Sequence, residues 1–301
     1  MNKTEQKKIR TFMIFYGILL LGFITYVLLD VFVIPRSYSA AAPTPESGPG
    51  TSVQNASVTD NSYQSDGIRI QMKTYREYDT DIYVADVTLK DARYLKTALA
   101  DNVFGRNITE KTSEIASENQ AILAINGDFY GTQRDGYVIR NGILYRDGVR
   151  SSSQEDLVIR KDGSFQVIRE GSISAGTLIE EEVRQVFSFG PGLIIDGNIS
   201  VDETDEVGKA MASNPRTAIA EIGPLHYLFV VSDGRTSESR GLSLYELARF
   251  LLSRNAVCAY NLDGGGSSTM YFNGRVINKP TTRGNDIHER SVSDIVFIGE
   301  S

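Results

Sequence analysis

The stretch Asn261–Met270 has the sequence NLDGGGSSTM and lies between two strand-like runs. The apolar run before it, Ala256–Tyr260, is typical of a buried strand, and Thr269–Phe272 predicts the next strand. Consecutive glycines indicate backbone that turns sharply or approaches another group closely, because no Cβ is in the way. Two interpretations stay open on this motif alone. It is either a tight hairpin with a glycine bulge or an anion or sugar site whose N–H groups form a concave nest.

Other predicted strands also end or begin in polar residues beside glycine or proline. Asn126-Gly127-Asp128 follows one apolar run, Asp233-Gly234-Arg235 follows another, and Asn214-Pro215-Arg216 precedes a third. An Asp-Gly pair alone more often marks a turn. Ligands, however, tend to bind where strand ends converge, and we expect these segments to meet in one site.

The N-terminus carries a long apolar segment. Phe12–Leu29 is almost wholly apolar, and Val31–Ile34 extends it past Asp30. Such a run is long enough to span a bilayer. Four basic residues precede it, which predicts a cytoplasmic N-terminus and an exported remainder. A cleaved signal peptide, with small residues at Ala40–Ala42, is the alternative, and the length of the apolar run favours an uncleaved anchor.

The remaining chain predicts a stalk followed by one ectodomain. We expect residues 1–11 to be cytoplasmic, 12–34 to be a transmembrane signal anchor and 35–65 to be a flexible stalk, because the last segment is rich in Ser, Ala, Pro and Gly. Many short strands and few helices over 66–301 predict an α+β fold, a mixed β-sheet core with a few flanking helices. The clearest helix is expected over 242–253, with Ser243 as its cap and Glu246 at capping-box spacing.

Composition restricts the classes of function. The chain has 301 residues, 41% of them hydrophobic, and a net charge of −7, and the acidic excess argues against nucleic acid as a partner. The one cysteine, Cys258, excludes an intramolecular disulfide and is expected to be a small buried hydrophobe. Export with so little cysteine fits a bacterial cell-surface protein, and we expect a Gram-positive source. With two histidines, a zinc site or a Ser-His-Asp hydrolase is not expected.

Six blocks of this sequence form a recognisable set over roughly residues 110–300. They are Asn126–Phe129, Phe189–Leu193 with Asp196-Gly197, Pro215–Ala218, Asp233–Arg235 with Ser239–Leu242, Asn261–Ser268, which is the most distinctive, and Arg290–Val292. Together, and in this order, they resemble the phosphodiester glycosidase family, whose bacterial members are often labelled exopolysaccharide-related. The family usually has a small residue where Asp128 stands.

The resemblance implies hydrolysis of the glycosidic C–O bond in sugar-1-phosphodiesters of envelope or extracellular glycans. Free sugar and a phosphomonoester would be the products. A phosphate ester is a good leaving group, so the site needs anion recognition and support for an oxocarbenium-like centre more than strong general-acid help.

The same resemblance gives each candidate residue a role. Asp263 is the expected nucleophile or base beside the anomeric carbon, with Asp233 and Asp128 as weaker candidates. Guanidinium groups bind phosphate in a bidentate manner, so two arginines are expected to bind the phosphate. The expected substrate-binding residues are Arg216 and Arg235 for the phosphate, Gly264, Gly265, Gly266, Ser267 and Ser268 as backbone and hydroxyl donors, and Asn126 and Asn261 for sugar hydroxyls.

Two other functions remain open at this stage. One is a phosphodiesterase that cleaves P–O, and the other is a non-catalytic polysaccharide-binding or assembly protein of the cell surface. The expected partners are a sugar-phosphate or polysaccharide substrate and the membrane, with no nucleic acid. No cofactor is required by this reaction, although a divalent cation at Asp128, Asp233 and Asp263 is chemically conceivable.

Overall fold

A computed structural model describes residues 3–38, 56–206, 213–283 and 286–300. The four α-helices are α1 Lys3–Phe32, α2 Thr112–Glu118, α3 Ala175–Glu180 and α4 Leu244–Leu252. Single 3₁₀ turns occur at Ala92–Tyr94, Ala100–Asn102, Tyr130–Thr132 and Gly265–Ser267.

The strands are short, and most are separated by tight turns. In chain order they are β1 Arg36–Ser37, β2 Ser57–Thr59, β3 Ser62–Gln64, β4 Ile68–Glu77, β5 Thr80–Leu89, β6 Leu95–Leu99, β7 Gly105–Arg106, β8 Leu123–Asn126, β9 Val138–Arg140, β10 Ile143–Arg146, β11 Glu155–Ile159, β12 Phe165–Arg169, β13 Gln185–Phe187, β14 Gly192–Ile195, β15 Asn198–Ile199, β16 Arg216–Gly223, β17 His226–Ser232, β18 Cys258–Leu262, β19 Met270–Phe272, β20 Arg275–Val276, β21 Thr281–Arg283, β22 Asp286–Ile287 and β23 Asp294–Ile298.

Three larger sheets form the body of the described structure. A nine-stranded sheet has the order β15-β14-β18-β16-β17-β5-β4-β3-β2. One five-stranded sheet has the order β20-β19-β8-β23-β6, and the other has the order β10-β9-β13-β11-β12. The pairs β1-β7 and β21-β22 stand apart, and each pairing of described strands is antiparallel. The α+β prediction, with a sheet core and few flanking helices, is confirmed, but the described sheets are antiparallel where a mixed sheet was expected.

The main hydrophobic core lies between the sheets. Ile219 and Leu262 of the nine-stranded sheet share one cluster with Ile125 and Val296 of the first five-stranded sheet and with Leu157 of the second. Burial of this apolar surface stabilises the packing at roughly 25 cal/mol per Å². The ends of β16, β18 and β8 are thereby brought close to one another.

Helix α4 covers the opposite face of the nine-stranded sheet. Its apolar side chains, including Leu247 and Leu251, cluster with Ala218 and Val230 on that face. The predicted cap is confirmed, because Ser243 Oγ accepts from the backbone N–H of Glu246 at 3.0 Å and the Glu246 carboxylate accepts from the Ser243 N–H at 2.9 Å. Cys258 is buried as expected, and burial raises the pKa of its thiol to about 12.

Ordered structure reaches into the segment predicted as a stalk. Strands β2 and β3 lie within 35–65 and extend the edge of the nine-stranded sheet, and β1 pairs with β7. The low-complexity composition that predicted the stalk is concentrated in residues 39–55, which lie outside the described residues. The folded body therefore begins by about residue 56, ten residues earlier than expected, and the division into cytoplasmic, membrane and stalk segments stays a prediction.

Asp156 predicts a distinctive dependence of stability on pH. It is fully buried, neither carboxylate oxygen accepts a hydrogen bond, and burial together with the Glu170 carboxylate raises its pKa to about 8. An acid whose folded pKa is raised favours the folded state at low pH, and this contribution is lost as pH rises from about 4 through 8. We expect Asp156→Asn to be nearly neutral at pH 4.5. By pH 8 it should be more stable than the parent chain by a few kcal/mol in urea unfolding.

Asp162→Asn serves as the matched control with the opposite sign. Hydrogen bonds from Ser164 lower the pKa of this exposed carboxyl, so its contribution is present above pH 4 and is lost as pH falls. A stability difference between Asp156→Asn and the parent chain that does not change with pH would contradict a neutral, buried Asp156.

Candidate active site

The glycine stretch connects two different sheets. Strand β18 belongs to the nine-stranded sheet and β19 belongs to a five-stranded sheet, so the hairpin interpretation is wrong. At the crossing, Asp263 donates its backbone N–H to Gly127 O at 3.1 Å, and Gly265 donates to Pro215 O at 2.8 Å. The turn therefore lies where the ends of β8, β16 and β18 meet.

All three glycines face groups that leave no room for a side chain, and a Cβ on Gly266 would lie 2.5 Å from Thr282 Oγ1. A Cβ on Gly264 would lie 2.9 Å from Pro215 O, and a Cβ on Gly265 would lie 2.9 Å from Arg235 Nη2. Gly265 also has a φ of +62°, a left-handed conformation that favours glycine. Close backbone approach, expected from the sequence, is thus present on both sides of the turn.

Asp263 lies in the turn beside Arg290. Arg290 Nη2 is 3.0 Å from Asp263 Oδ2, and Nε and Nη2 of the same guanidinium lie 2.9 and 2.7 Å from Ser267 Oγ. Asp263 is 8% exposed, and burial raises the pKa of its carboxyl while Arg290 and Ser267 oppose that rise. The result is a nearly buried carboxylate held by one partly exposed cation.

Arg235 supplies a second positive charge near the same carboxylate. Its Nε and Nη2 donate to Asn214 Oδ1 at 3.1 and 2.8 Å, and Nη1 donates to Thr282 O at 3.2 Å. Burial lowers the pKa of Arg235, the charge of Arg290 lowers it further, and Asp263 raises it, so the three groups act on one another electrostatically. Arg290 thus pairs with the buried carboxylate, and Arg235 adds a second guanidinium against Gly265 of the same turn, which makes the locality attractive to an anion.

Arg216 is close to the turn but already paired. Its Nη2 lies 2.7 Å from Glu206 Oε2, and its Nε donates to Leu242 O at 2.9 Å. Burial lowers the pKa of Arg216, and Glu206 opposes that effect. A phosphate would have to displace Glu206 to reach this guanidinium.

The two predicted sugar-binding asparagines are fully buried. Asn126 Nδ2 donates to Asp263 O at 2.6 Å, and its Oδ1 accepts from Thr217 Oγ1 at 2.8 Å and from the Thr269 N–H at 3.3 Å. Asn261 Nδ2 donates to Gly190 O at 2.8 Å. In this structure Asn126 fastens the turn to β8 and β16, so its contacts are those of a positioning residue.

The weaker carboxylate candidates belong to other networks. Asp128 Oδ1 is 2.9 Å from Arg140 Nη2, and Arg140 Nη2 also lies 2.8 Å from Asp294 Oδ2. Asp233 accepts from Tyr83 Oη at 3.1 Å and from the Lys279 N–H at 2.8 Å. Among the described residues there is no group of three His, Cys, Asp or Glu side chains that could hold a metal ion, so Asp128, Asp233 and Asp263 do not form one.

A polar cleft of about 520 Å³ adjoins the turn, and its lining includes neither Asp263 nor Arg290. It borders the site through Gly190, which accepts from Asn261, and through Glu206, which pairs with Arg216. Its other lining residues include Gln133, Arg150 and Gln154.

Sequence reasoning placed the turn, Arg235 and Arg216 together correctly, but it gave no role to Arg290. That residue appeared only within the closing block Arg290–Val292. It lies 27 residues after Asp263 and follows the short strands β20, β21 and β22, so no local pattern links the two. The sequence did offer one signal. Arg290 is a basic residue in a block that resembles the family, and no acidic partner had been assigned to it.

The comparisons with known proteins agree on one family. A family model described as phosphodiester glycosidase matches residues 119–299. The N-acetylglucosamine-1-phosphodiester alpha-N-acetylglucosaminidase of Mus musculus is 34% identical over 200 residues, which cover 59% of this chain and 37% of the mouse protein. The uncharacterized SPbeta prophage-derived protein YomE of Bacillus subtilis strain 168 is 26% identical over 266 residues, which cover 82% of this chain and 40% of YomE.

Two solved structures have similar folds. The zebrafish N-acetylglucosamine-1-phosphodiester alpha-N-acetylglucosaminidase catalytic domain aligns with a TM-score of 0.62 at 21% identity and covers 89% of each chain. A hypothetical protein from Synechocystis aligns with a TM-score of 0.53 at 17% identity, covering 78% of this chain and 62% of the other. At sequence identities this low, the similarity between the structures shows a shared fold only. The chain spans about two fifths of the length of the curated relatives that it matches.

The contact between Gly265 and Arg235 gives a testable consequence. Gly265→Ala places a Cβ in a left-handed conformation and against a guanidinium that Asn214 holds in place. Gly197→Ala is the matched control, because Gly197 has a φ of +74° but open space around it. We expect the control to lose roughly 1 kcal/mol of unfolding free energy and Gly265→Ala to lose clearly more. Equal losses in urea unfolding would contradict the close contact with Arg235.

Proposed function

This chain belongs to the phosphodiester glycosidase family, and we propose on that basis that it hydrolyses the glycosidic C–O bond of sugar-1-phosphodiesters. The products are a free sugar and a phosphomonoester. One observation carries the proposal: the nearly buried Asp263 carboxylate shares its surroundings with the guanidinium groups of Arg290 and Arg235 at a turn made of glycine.

The arginines suit the phosphate half of the substrate. Arg290 is 40% exposed along its side chain, and Arg235 is held by Asn214 and Thr282, so an incoming phosphate meets positive charge that is already oriented. Glycines 264–266 let Pro215, Arg235 and Thr282 pack directly against the turn, which holds the Arg235 guanidinium close to its backbone. The proposal gives Arg216 a supporting position, since Glu206 occupies its guanidinium.

Asp263 suits the sugar half. A phosphodiester needs no proton to leave, because the phosphomonoester departs as a stable anion, and one carboxylate is then sufficient at the anomeric carbon. Asp263 acts there either as the nucleophile or as the base that takes a proton from water, and the water oxygen ends on the sugar. Burial raises the pKa of this carboxyl, and the charge of Arg290 opposes that rise.

The polar cleft beside Arg216 suits the remainder of the substrate. Its volume of about 520 Å³ is in the range of small-molecule sites, and Arg150, Gln133 and Gln154 offer polar contacts to a sugar or to the esterified alcohol.

The N-terminal helix suits an anchor that holds the enzyme at the outer surface of the membrane. The most apolar 18-residue window of Thr4–Phe32 has a mean hydropathy of 2.4, and none of that window is buried against the protein. The helix end contacts the folded body, since Asn107 Nδ2 donates to Val31 O at 3.3 Å and to Ile34 O at 3.1 Å. We therefore propose envelope or extracellular glycans as substrates, with residues 1–11 in the cytoplasm.

Hydrolysis in ¹⁸O-labelled water tests which bond breaks. We expect the purified full chain in neutral detergent to place ¹⁸O in the sugar released from an alkyl ester of N-acetylglucosamine-1-phosphate. Label found only in the phosphate would identify P–O cleavage and refute the glycosidase. Saturable glycan binding with no turnover, at high enzyme concentration and with several sugars, would identify a binding protein instead.

Replacement of Asp263 tests the assigned chemistry. We expect Asp263→Asn to lower kcat at least 10³-fold while the melting temperature changes by only a few degrees, because the amide keeps the shape of the side chain. Asp233→Asn is the control: its side chain binds Tyr83 and Lys279 away from Arg290, and we expect kcat within about tenfold of the parent. The reverse order of effects in steady-state kinetics would move the chemistry to Asp233.

A further inference from the structure

A small cavity next to the end of α1 is lined largely by arginine. Its volume is about 220 Å³, and it is adjacent to the larger cleft, since Gln133 lines both. Its lining residues are Tyr38, Phe104, Gly105, Arg106, Gln133, Arg134 and Arg146. Three of these seven residues carry a positive charge, and none carries a negative one.

These arginines have no acidic partner. Among the described residues, Arg106, Arg134 and Arg146 form no ion pair with a carboxylate, and the buried Nε of Arg106 has no hydrogen-bond partner. A buried, unpaired donor is costly unless a ligand satisfies it. The cavity thus has the positive charge expected of an anion site, and one of its lining arginines carries an unsatisfied donor.

Arg146 is held rigidly at the back of the cavity. Its Nε donates to Gly136 O at 2.6 Å, and its Nη1 donates to Gln133 O at 2.8 Å and to Tyr130 O at 3.2 Å. Burial lowers its pKa, and the carboxylates of Asp128 and Asp135 oppose that change. A cation fixed by carbonyl groups needs little reorganisation when it meets an anion.

The outer wall of the cavity is the first segment after the membrane helix. Tyr38 donates its N–H to Phe104 O at 3.0 Å, their rings lie 6.2 Å apart, and the preceding strand β1 pairs with β7, which contains Arg106. Given the anchor proposed above, on which this step rests, the cavity lies only a few residues beyond the end of the helix. That places it at the level of the lipid headgroups of the outer leaflet.

We propose that this arginine cavity binds the phosphate of an anionic phospholipid headgroup. The volume accepts a phosphate with its glycerol, while the acyl chains stay in the bilayer. A lipid bound there would bridge the β1–β7 pair and the 130–134 turn, and it would fix the orientation of the catalytic domain against the membrane. A zwitterionic headgroup suits the cavity less well, because its ammonium adds to the existing positive charge.

The test uses the full chain in neutral detergent with short-chain lipids. We expect dihexanoyl phosphatidylglycerol to raise the melting temperature by several degrees in a saturable manner, and dihexanoyl phosphatidylcholine to have little effect. The double variant Arg106→Gln/Arg134→Gln should weaken the phosphatidylglycerol midpoint at least tenfold. The control Arg69→Gln removes an exposed charge from β4 and should leave the midpoint unchanged.

Each other outcome counts against the proposal. Equal responses of the parent and the double variant would overturn the site, and equal potency of glycerol 3-phosphate would replace the lipid by a soluble anion. Should the double variant unfold, the phosphatidylglycerol midpoint of Arg134→Gln alone, at an exposed position, is compared with that of the parent. Extraction of the full chain from membranes by alkaline carbonate would refute the anchor separately, because lipid preference in detergent does not depend on it.

Discussion

The side-chain amide of Asn126 holds the glycine turn in place, and the position of Asp263 depends on it. Its nitrogen donates to Asp263 O, and its oxygen accepts from Thr217 and from the N–H of Thr269. These groups come from strand ends of two different sheets, which also pack against each other through the hydrophobic core. One buried amide thus joins both ends of the turn to the strands beside it, and its burial excludes water that would compete for the same bonds.

Local structure was predictable from the sequence, whereas the relation between distant segments was not. The cap of α4 follows from neighbouring residues, and it is present. The crossing of the glycine turn from one sheet to another depends on which strands pair, and paired residues in this chain lie as far apart in sequence as Leu95 and Ile298. The ion pair of Asp263 and Arg290 has the same origin, since the fold closes the space between them.

The sequence also did not predict which acidic side chains are already paired with other residues. Asp128 and Asp263 both follow strands and stand beside glycine, so their local sequence patterns do not distinguish a structural acid from a catalytic one. In the structure Arg140 and the Ser188 N–H occupy Asp128, whereas Asp263 faces the partly exposed Arg290. What separates a structural acid from a candidate catalytic one is therefore the exposure of its cationic partner, which only the fold determines.

The short pairing of β1 with β7 bears on how the protein would search for substrate. With α1 in the membrane as proposed, this pairing fixes the domain within a few residues of the bilayer, so the long segment 39–55 does not set its reach. Such a protein explores a surface instead of a volume. Its turnover would then follow the number of substrate molecules per unit area of membrane, and dilution of the surrounding medium would leave its rate on membrane-bound glycans unchanged.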